Sequence, residues 1–243
     1  MDACDIQPGH TVLDAGCGSG TTTFQIARRV GAEGRVLGID VSAPMLDVGR
    51  ARLESLGVDG VTFDNKDIAT YPFENGTFDR VFSRFGVMFF VDPVAAITNI
   101  RGGMKSGGRL AFVCWQALNK NPWMEIPFNV ALRHVPAPPP QDPEAPGPTA
   151  FADPERVRRI LSKAGFEEID LKSLEITLPF EADVRSTAQK LVQLGAASRL
   201  LSSASEDIKA RVEDNLCEAI AEYQTDSGVR IGSASWIATA TSP

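Results

Sequence analysis

Histidine is almost absent from this chain, and its cysteines are never grouped. His10 and His134 are the only two imidazoles in 243 residues, and Cys4, Cys17, Cys114 and Cys217 stand far apart with no C-x-x-C pair. A metal site needs ligands gathered at short spacing, so none is expected. No apolar run reaches the ~18 residues that a membrane span needs, and the amino terminus carries no signal-peptide pattern, so the expected location is the reduced cytoplasm. Positive charge is also short, with 24 Lys and Arg against 31 Asp and Glu, a net charge of −7 and no basic cluster. That balance argues against a nucleic-acid partner and leaves a small-molecule acceptor as the expected one. The oligomeric state is open, a homodimer included. The length suits one sizeable α/β domain with insertions.

What is present is a glycine-rich stretch. Thr11-Val-Leu-Asp-Ala-Gly-Cys-Gly-Ser-Gly-Thr21 is a short apolar run that ends in an acid and then breaks into glycines at alternate positions. It reads as a strand running into a turn, with Thr21-Thr-Thr-Phe-Gln-Ile-Ala opening a helix whose first amides face a ligand. A tight structural turn is the plain alternative. In the dinucleotide fingerprint the third glycine comes one place later, where this chain has Thr21. Asp14, at the strand's end, would repel a pyrophosphate and suits an ammonium or sulfonium group.

Two more acids follow at strand ends. Arg35-Val-Leu-Gly-Ile-Asp40 is a second apolar strand closing on a carboxylate that can accept both hydroxyls of a ribose. Val61-Thr-Phe-Asp-Asn is a third strand, and Asp67-Ile68 lies just beyond it, where an acid can take an exocyclic amine of adenine. Three acids and one glycine turn describe a pocket for an adenosine with a positively charged tail.

These segments, together with Gly38-Ile-Asp-Val-Ser-Ala-Pro-Met-Leu46, Phe78-Asp-Arg-Val-Phe-Ser-Arg-Phe-Gly86 and Gly107-Gly-Arg-Leu110, resemble the class I S-adenosylmethionine (SAM)-dependent methyltransferases. The likeness is to the small-molecule group that includes the ubiquinone and menaquinone methyltransferases, and it covers about the first half of the chain. It implies a Rossmann-like, doubly wound, mostly parallel sheet, seven strands with the last antiparallel, and SAM as cofactor. It also implies a cofactor set of Asp14, Gly16, Cys17, Gly18, Asp40, Val41, Met45, Asp67, Ile68 and Ser83, with Met45 on the adenine face. Relatives carry helices before the first strand that close over SAM; only about ten residues precede it here, so the cover comes from elsewhere, is missing, or the pocket is more open. Two other readings stay open: a SAM-binding protein that does not methylate, and a nicotinamide oxidoreductase, which Asp14 and Thr21 oppose.

From Thr11 strands and helices alternate, which means a parallel sheet. A helix is expected over Pro93–Met104 and a fifth strand over Arg109–Cys114. Residues 116–153 and 179–227 then read as lid insertions within a single domain, the first holding an amphipathic piece, Trp123–His134, and a proline-rich surface loop, Pro136–Pro148. A helix follows over Pro154–Ala164. Ile208, Val212, Leu216 and Ile220 repeat every four residues and make one buried stripe.

Methyl transfer is an in-line displacement in which positioning does most of the work, so few residues announce themselves as catalytic. Arg84 is a candidate to pair with a substrate carboxylate or phosphate, or else forms a structural salt bridge to Asp79, Asp92 or another acid. His134 is the candidate general base, or else an exposed loop histidine. Trp115, Trp123, Phe85, Phe89 and Phe128 either line an apolar acceptor pocket or belong to the core.

Overall fold

Side chains alternate between two apolar environments along the central strands. In β1 (Thr11–Ala15), Val12 packs with Ile26, Val30 and Val36, whereas Leu13 joins Val81, Leu110 and Phe112. A strand buried on both faces needs cover on both, and helices supply it. The computed structural model describes residues 1–139 and 142–243.

The order continues through α1 (Thr21–Val30), β2 (Arg35–Asp40), α2 (Ala43–Leu56), β3 (Val61–Asn65), β4 (Phe78–Arg84), α3 (Pro93–Gly102) and β5 (Met104–Trp115). The pairings β3–β2, β2–β1, β1–β4 and β4–β5 are all parallel. The strand order β3-β2-β1-β4-β5 reverses direction at β1, and the carboxyl ends of β1 and β4 open a crevice there. Residues before β1 fill one face, with Cys4 and Ile6 buried beside Val12 and Phe82.

Two expectations need correction. The third helix stops at Gly102, and β5 begins at Met104, five residues earlier than Arg109. The register with β4 jumps from Phe78↔Met104 to Arg80↔Arg109, so the Gly107-Gly108 pair is a bulge inside the strand and not the turn before it. Ser42 precedes α2, but its side chain makes no capping bond; its own N–H instead donates to Asp40 Oδ1 at 2.8 Å.

Beyond β5 come α4 (Pro122–Ala131), α5 (Pro154–Lys163), β6 (Glu167–Pro179), α6 (Val184–Leu191), α7 (Gly195–Leu200), α8 (Glu206–Ile220), a two-residue β7 (Gln224–Thr225) and β8 (Gly228–Thr241). The sheet extends as β5-β8-β6, with β7 on β8. β8 runs antiparallel to β5: Gly107 N–H and Ser242 N–H exchange bonds with the Ser242 and Gly108 carbonyls at one end, and Gln116 N–H bonds Ala234 at the other.

The chain forms two compact units. The first comprises Met1–Trp115, Glu144–Ser173 and Trp236–Pro243, and the second Gln116–Pro143 and Leu174–Ser235. The expected proline-rich loop falls partly on residues 140 and 141, outside the described residues. Its far end is tied down: Arg156, on α5, donates to the Glu144 and Ala150 carbonyls, and Phe151 is buried in the first core. Asp153 caps α5 by accepting from the Glu155 and Arg156 amides.

In the second unit the four-residue stripe of α8 buries Val212, Leu216 and Ile220 against Leu191, Val130 and Ile231. Helix α6 ends at Leu191 and α7 begins at Gly195, so the apolar residues from Leu191 to Leu201 fall on two helices. Buried Asn121, before α4, clamps β8: its Oδ1 accepts from Ala234 N–H at 3.0 Å and its Nδ2 donates to the Ala234 carbonyl at 3.0 Å.

Candidate functional site

The glycine turn is shaped by how closely other groups approach it. Gly16 has φ +71°, and a Cβ there would stand 2.9 Å from the backbone Cα of Gly86. Gly18 has φ +56°, and its Cβ would meet the Met45 Cε at 2.8 Å. Gly16 demands glycine twice over, once for the dihedral and once for the space, whereas at Gly18 the dihedral demands it and the Met45 tip can move. Ser83 explains the first contact: its buried Oγ donates to the Ala15 carbonyl at 2.6 Å and pins the end of β4 to the end of β1.

Asp14 sits beneath this turn, fully buried. Its Oδ2 accepts from the Thr22 and Thr23 hydroxyls at 2.7 and 2.6 Å. Its Oδ1 has no hydrogen-bond partner among the described residues. Burial pushes the Asp14 carboxyl up to about 6, against the two hydroxyls and the Arg84 charge, which pull it down. A buried carboxylate with one orphaned oxygen favours positive charge nearby.

Asp40 latches the turn from the side. Its Oδ2 accepts from Gly18 N–H and its Oδ1 from Ser42 N–H, both at 2.8 Å. Each oxygen keeps a further lone pair. Asp67 accepts from Ala69 N–H with one oxygen and is exposed.

These groups surround a cavity of about 640 Å3 at the carboxyl ends of β1 to β4, within the ordinary range for small-molecule sites. Of the expected cofactor residues, Gly16, Gly18, Asp40, Val41, Met45, Asp67 and Ile68 line it. Asp14, Cys17 and Ser83 do not. Cys17 is buried with its Sγ toward Gly38, and burial raises its thiol well above the usual range. Lining residues that the sequence reading missed are Ile39, Lys66, Ala69, Gly86, Phe90, Val91 and Asp92. The Asp92-Pro93 pair, an acid before a helical proline, was the available signal for the last.

Phe85 has φ +63°, an uncommon value for a bulky residue. Its ring lines the cavity and stacks on Trp115, with centroids 3.9 Å apart and planes 10° from parallel. Phe89 also lines it and is half exposed.

The two catalytic candidates are elsewhere. His134 belongs to the second unit, where its Nε2 pairs with Asn215 Nδ2 at 2.9 Å. Arg84 is exposed, lines no part of the cavity, and forms no salt bridge among the described residues; Asp79 pairs with Lys105 and Asp92 caps α3. Trp123 and Phe128 also lie in the second unit. Among the described residues no group of three His, Cys, Asp or Glu could hold a metal, and no helix is long and apolar enough to cross a membrane.

An open, doubly wound sheet with a glycine turn and acids at its strand ends defines a nucleoside-binding crevice. Residues 6–144 match the family model described as a methyltransferase domain, and the chain belongs to that family. The ubiquinone/menaquinone biosynthesis C-methyltransferase of Cellvibrio japonicus is 38% identical over 111 residues, 45% of each chain. A demethylmenaquinone methyltransferase of Bacillus cereus is 34% identical over 110 residues, 45% of this chain and 46% of that one. The match thus spans less than half the length of these relatives.

Among solved structures, geranyl diphosphate C-methyltransferase of Streptomyces coelicolor superposes with TM-score 0.58 at 18% identity, covering 100% of this chain and 82% of that one. The [4+2]-cyclase SpnF gives 0.62 at 21%, covering 100% and 78%. These two likenesses concern the fold.

Proposed function

We propose that the chain is a SAM-dependent methyltransferase acting on a small, largely apolar acceptor, with residues 1–243 working as one methyltransferase domain. The observation that carries this reading is the single cavity in which a glycine turn, Asp40, Asp67 and an apolar wall meet above a buried, under-satisfied Asp14. SAM, when bound, supplies an electrophilic methyl group on a sulfonium. The free lone pairs of Asp40 would take the ribose hydroxyls, and Asp67 the adenine amine between Ile68 and Met45. Gly16 and Gly18 leave the methionine end room against the backbone. The charge of Asp14 acts through the turn, favouring a cationic tail. Phe85, held flat on Trp115, excludes water and gives the acceptor a fixed face, which suits a reaction governed by alignment.

The names of the curated relatives make a carbon atom one candidate for the methylated position. The same reading puts the enzyme in the cytoplasm with no nucleic-acid partner, and a homodimer is compatible with it. Because the fold is shared with a chain named as a cyclase, fold cannot decide activity.

The test is calorimetric titration with SAM, S-adenosylhomocysteine and NADH in parallel, followed by radiolabelled methyl uptake by an acceptor panel. The two adenosyl sulfur compounds should bind and NADH should not. Asp40→Ala should weaken SAM binding by ~1–3 kcal/mol through lost charge-assisted hydrogen bonds. SAM affinity unchanged in that variant would remove Asp40 from the ribose, and binding without any methyl uptake would favour a non-methylating SAM protein.

A further inference from the structure

The cavity is not uniform in charge. Asp40 ends β2, and Lys66 and Asp67 follow β3, on the side that the methyltransferase reading, on which this inference rests, gives to the nucleoside. β4 lies on the other side of β1, so the wall that follows it continues the crevice past the sulfonium end. That wall is Phe85, Gly86, Phe89, Phe90, Val91 and Asp92. It carries one carboxylate and, among the described residues, no cation.

Two of its apolar members are unusually open, Val91 at 90% exposure and Phe89 at 53%, whereas Phe85 and Phe90 pack against the first core. Apolar side chains left in water around a cavity mark where a ligand's apolar body is covered. Asp92 interrupts this surface with one engaged oxygen and one free one. Its Oδ1 accepts from Ala95 N–H at 2.9 Å, in the first turn of α3. Its Oδ2 takes no hydrogen bond among the described residues. Arg84, the cation nearest in sequence, does not line the cavity, so no side chain on this wall offsets the Asp92 charge, and only the α3 amides do.

We propose that Asp92 sets acceptor specificity: its free oxygen receives a hydrogen bond from a hydroxyl or ammonium group on a mainly apolar acceptor, and its charge turns away acceptors that bear a carboxylate or phosphate. The assignment replaces Arg84 as the group that meets the acceptor's polar end, and it inverts the expected sign of that end.

The test uses three probes with one apolar body, 4-butylbenzylamine, 4-butylphenol and 4-butylbenzoate, titrated into the full chain saturated with S-adenosylhomocysteine. The amine and the phenol should bind at least about tenfold more tightly than the benzoate, the scale expected when like charges are brought together in an apolar wall. Asp92→Asn keeps the helix cap, because asparagine caps as well as aspartate, and should shrink the gap to about threefold or less. Asp59→Asn, which removes a charge from an exposed loop outside the cavity, should leave the gap intact. A benzoate that binds the wild type as tightly as the amine would overturn the proposal. So would a gap that survives in Asp92→Asn, or no binding by any probe while S-adenosylhomocysteine binds. Failure of S-adenosylhomocysteine itself to bind is a different result, and it removes the methyltransferase reading together with this one.

Discussion

Asp14 is the residue whose charge is hardest to keep. Burial lifts it from an ordinary 3.8 to about 6, so between those pH values the folded protein holds a proton that the unfolded chain has released. Stability therefore falls as pH rises through that window, and above it the buried charge costs on the order of 3 kcal/mol. Asp14→Asn keeps an oxygen for Thr22 and Thr23 and should flatten the dependence. Urea unfolding from pH 4 to pH 7 reads it: the wild type should lose more stability over that range than the variant, and parallel curves would refute the assignment. The two turn glycines separate by what they touch. Gly16→Ala drives a methyl into the Gly86 backbone and should destabilise by about 3 kcal/mol or more, whereas Gly18→Ala meets only the movable tip of Met45 and should cost about 1–2 kcal/mol. Chemical denaturation of both variants checks the order, and a Gly18 variant weaker than the Gly16 one would reverse the argument.

At the scale of elements, Asn121 joins the start of α4 to β8 through both its amide groups. Asn121→Ala should cost about 1–3 kcal/mol, since the buried Ala234 N–H loses its partner while the Ala234 carbonyl keeps the Gln116 N–H, and Asn121→Asp should not fully rescue it because the donor is gone. Thermal unfolding of the two variants is the measurement; wild-type stability in either would show the clamp to be dispensable. Local pattern made most of these elements legible. The acids ending β2 and following β3, the capping Asp153 with Pro154, and the α8 stripe each declare themselves within a few residues. The early start of β5 was not legible, because two glycines in a row look like a turn unless the facing strand shows that they are a bulge. Asp92 was hidden by doing two things at once: its visible role is to cap α3, and only the cavity reveals its second oxygen. Asp14 was legible as an acid beside the turn but not as one beneath it, since burial depends on Thr22 and Thr23 folding back over it.

For the molecule as a whole, ligand binding should appear as stability. At 100 times its dissociation constant, S-adenosylhomocysteine adds about 2.7 kcal/mol if it binds only the folded chain, which for a chain of this size is a rise in melting temperature of roughly 5–10 °C. NADH at the same concentration should leave the midpoint unmoved, and differential scanning fluorimetry distinguishes the two. Equal shifts would reopen the oxidoreductase reading.

The first unit is assembled from three separated stretches of chain, and its core contains Trp236, Ala238 and Ala240 beside Leu110 and Phe112. On the ribosome β5 therefore emerges long before β8, which covers its edge. About 120 residues separate Trp115 from Trp236, and at ordinary elongation rates they take roughly 6–24 s to make. For that interval β5, paired with β4 on one side only, presents an open apolar edge, so the cellular yield of this protein should depend on how well chaperones guard that edge until β8 is made.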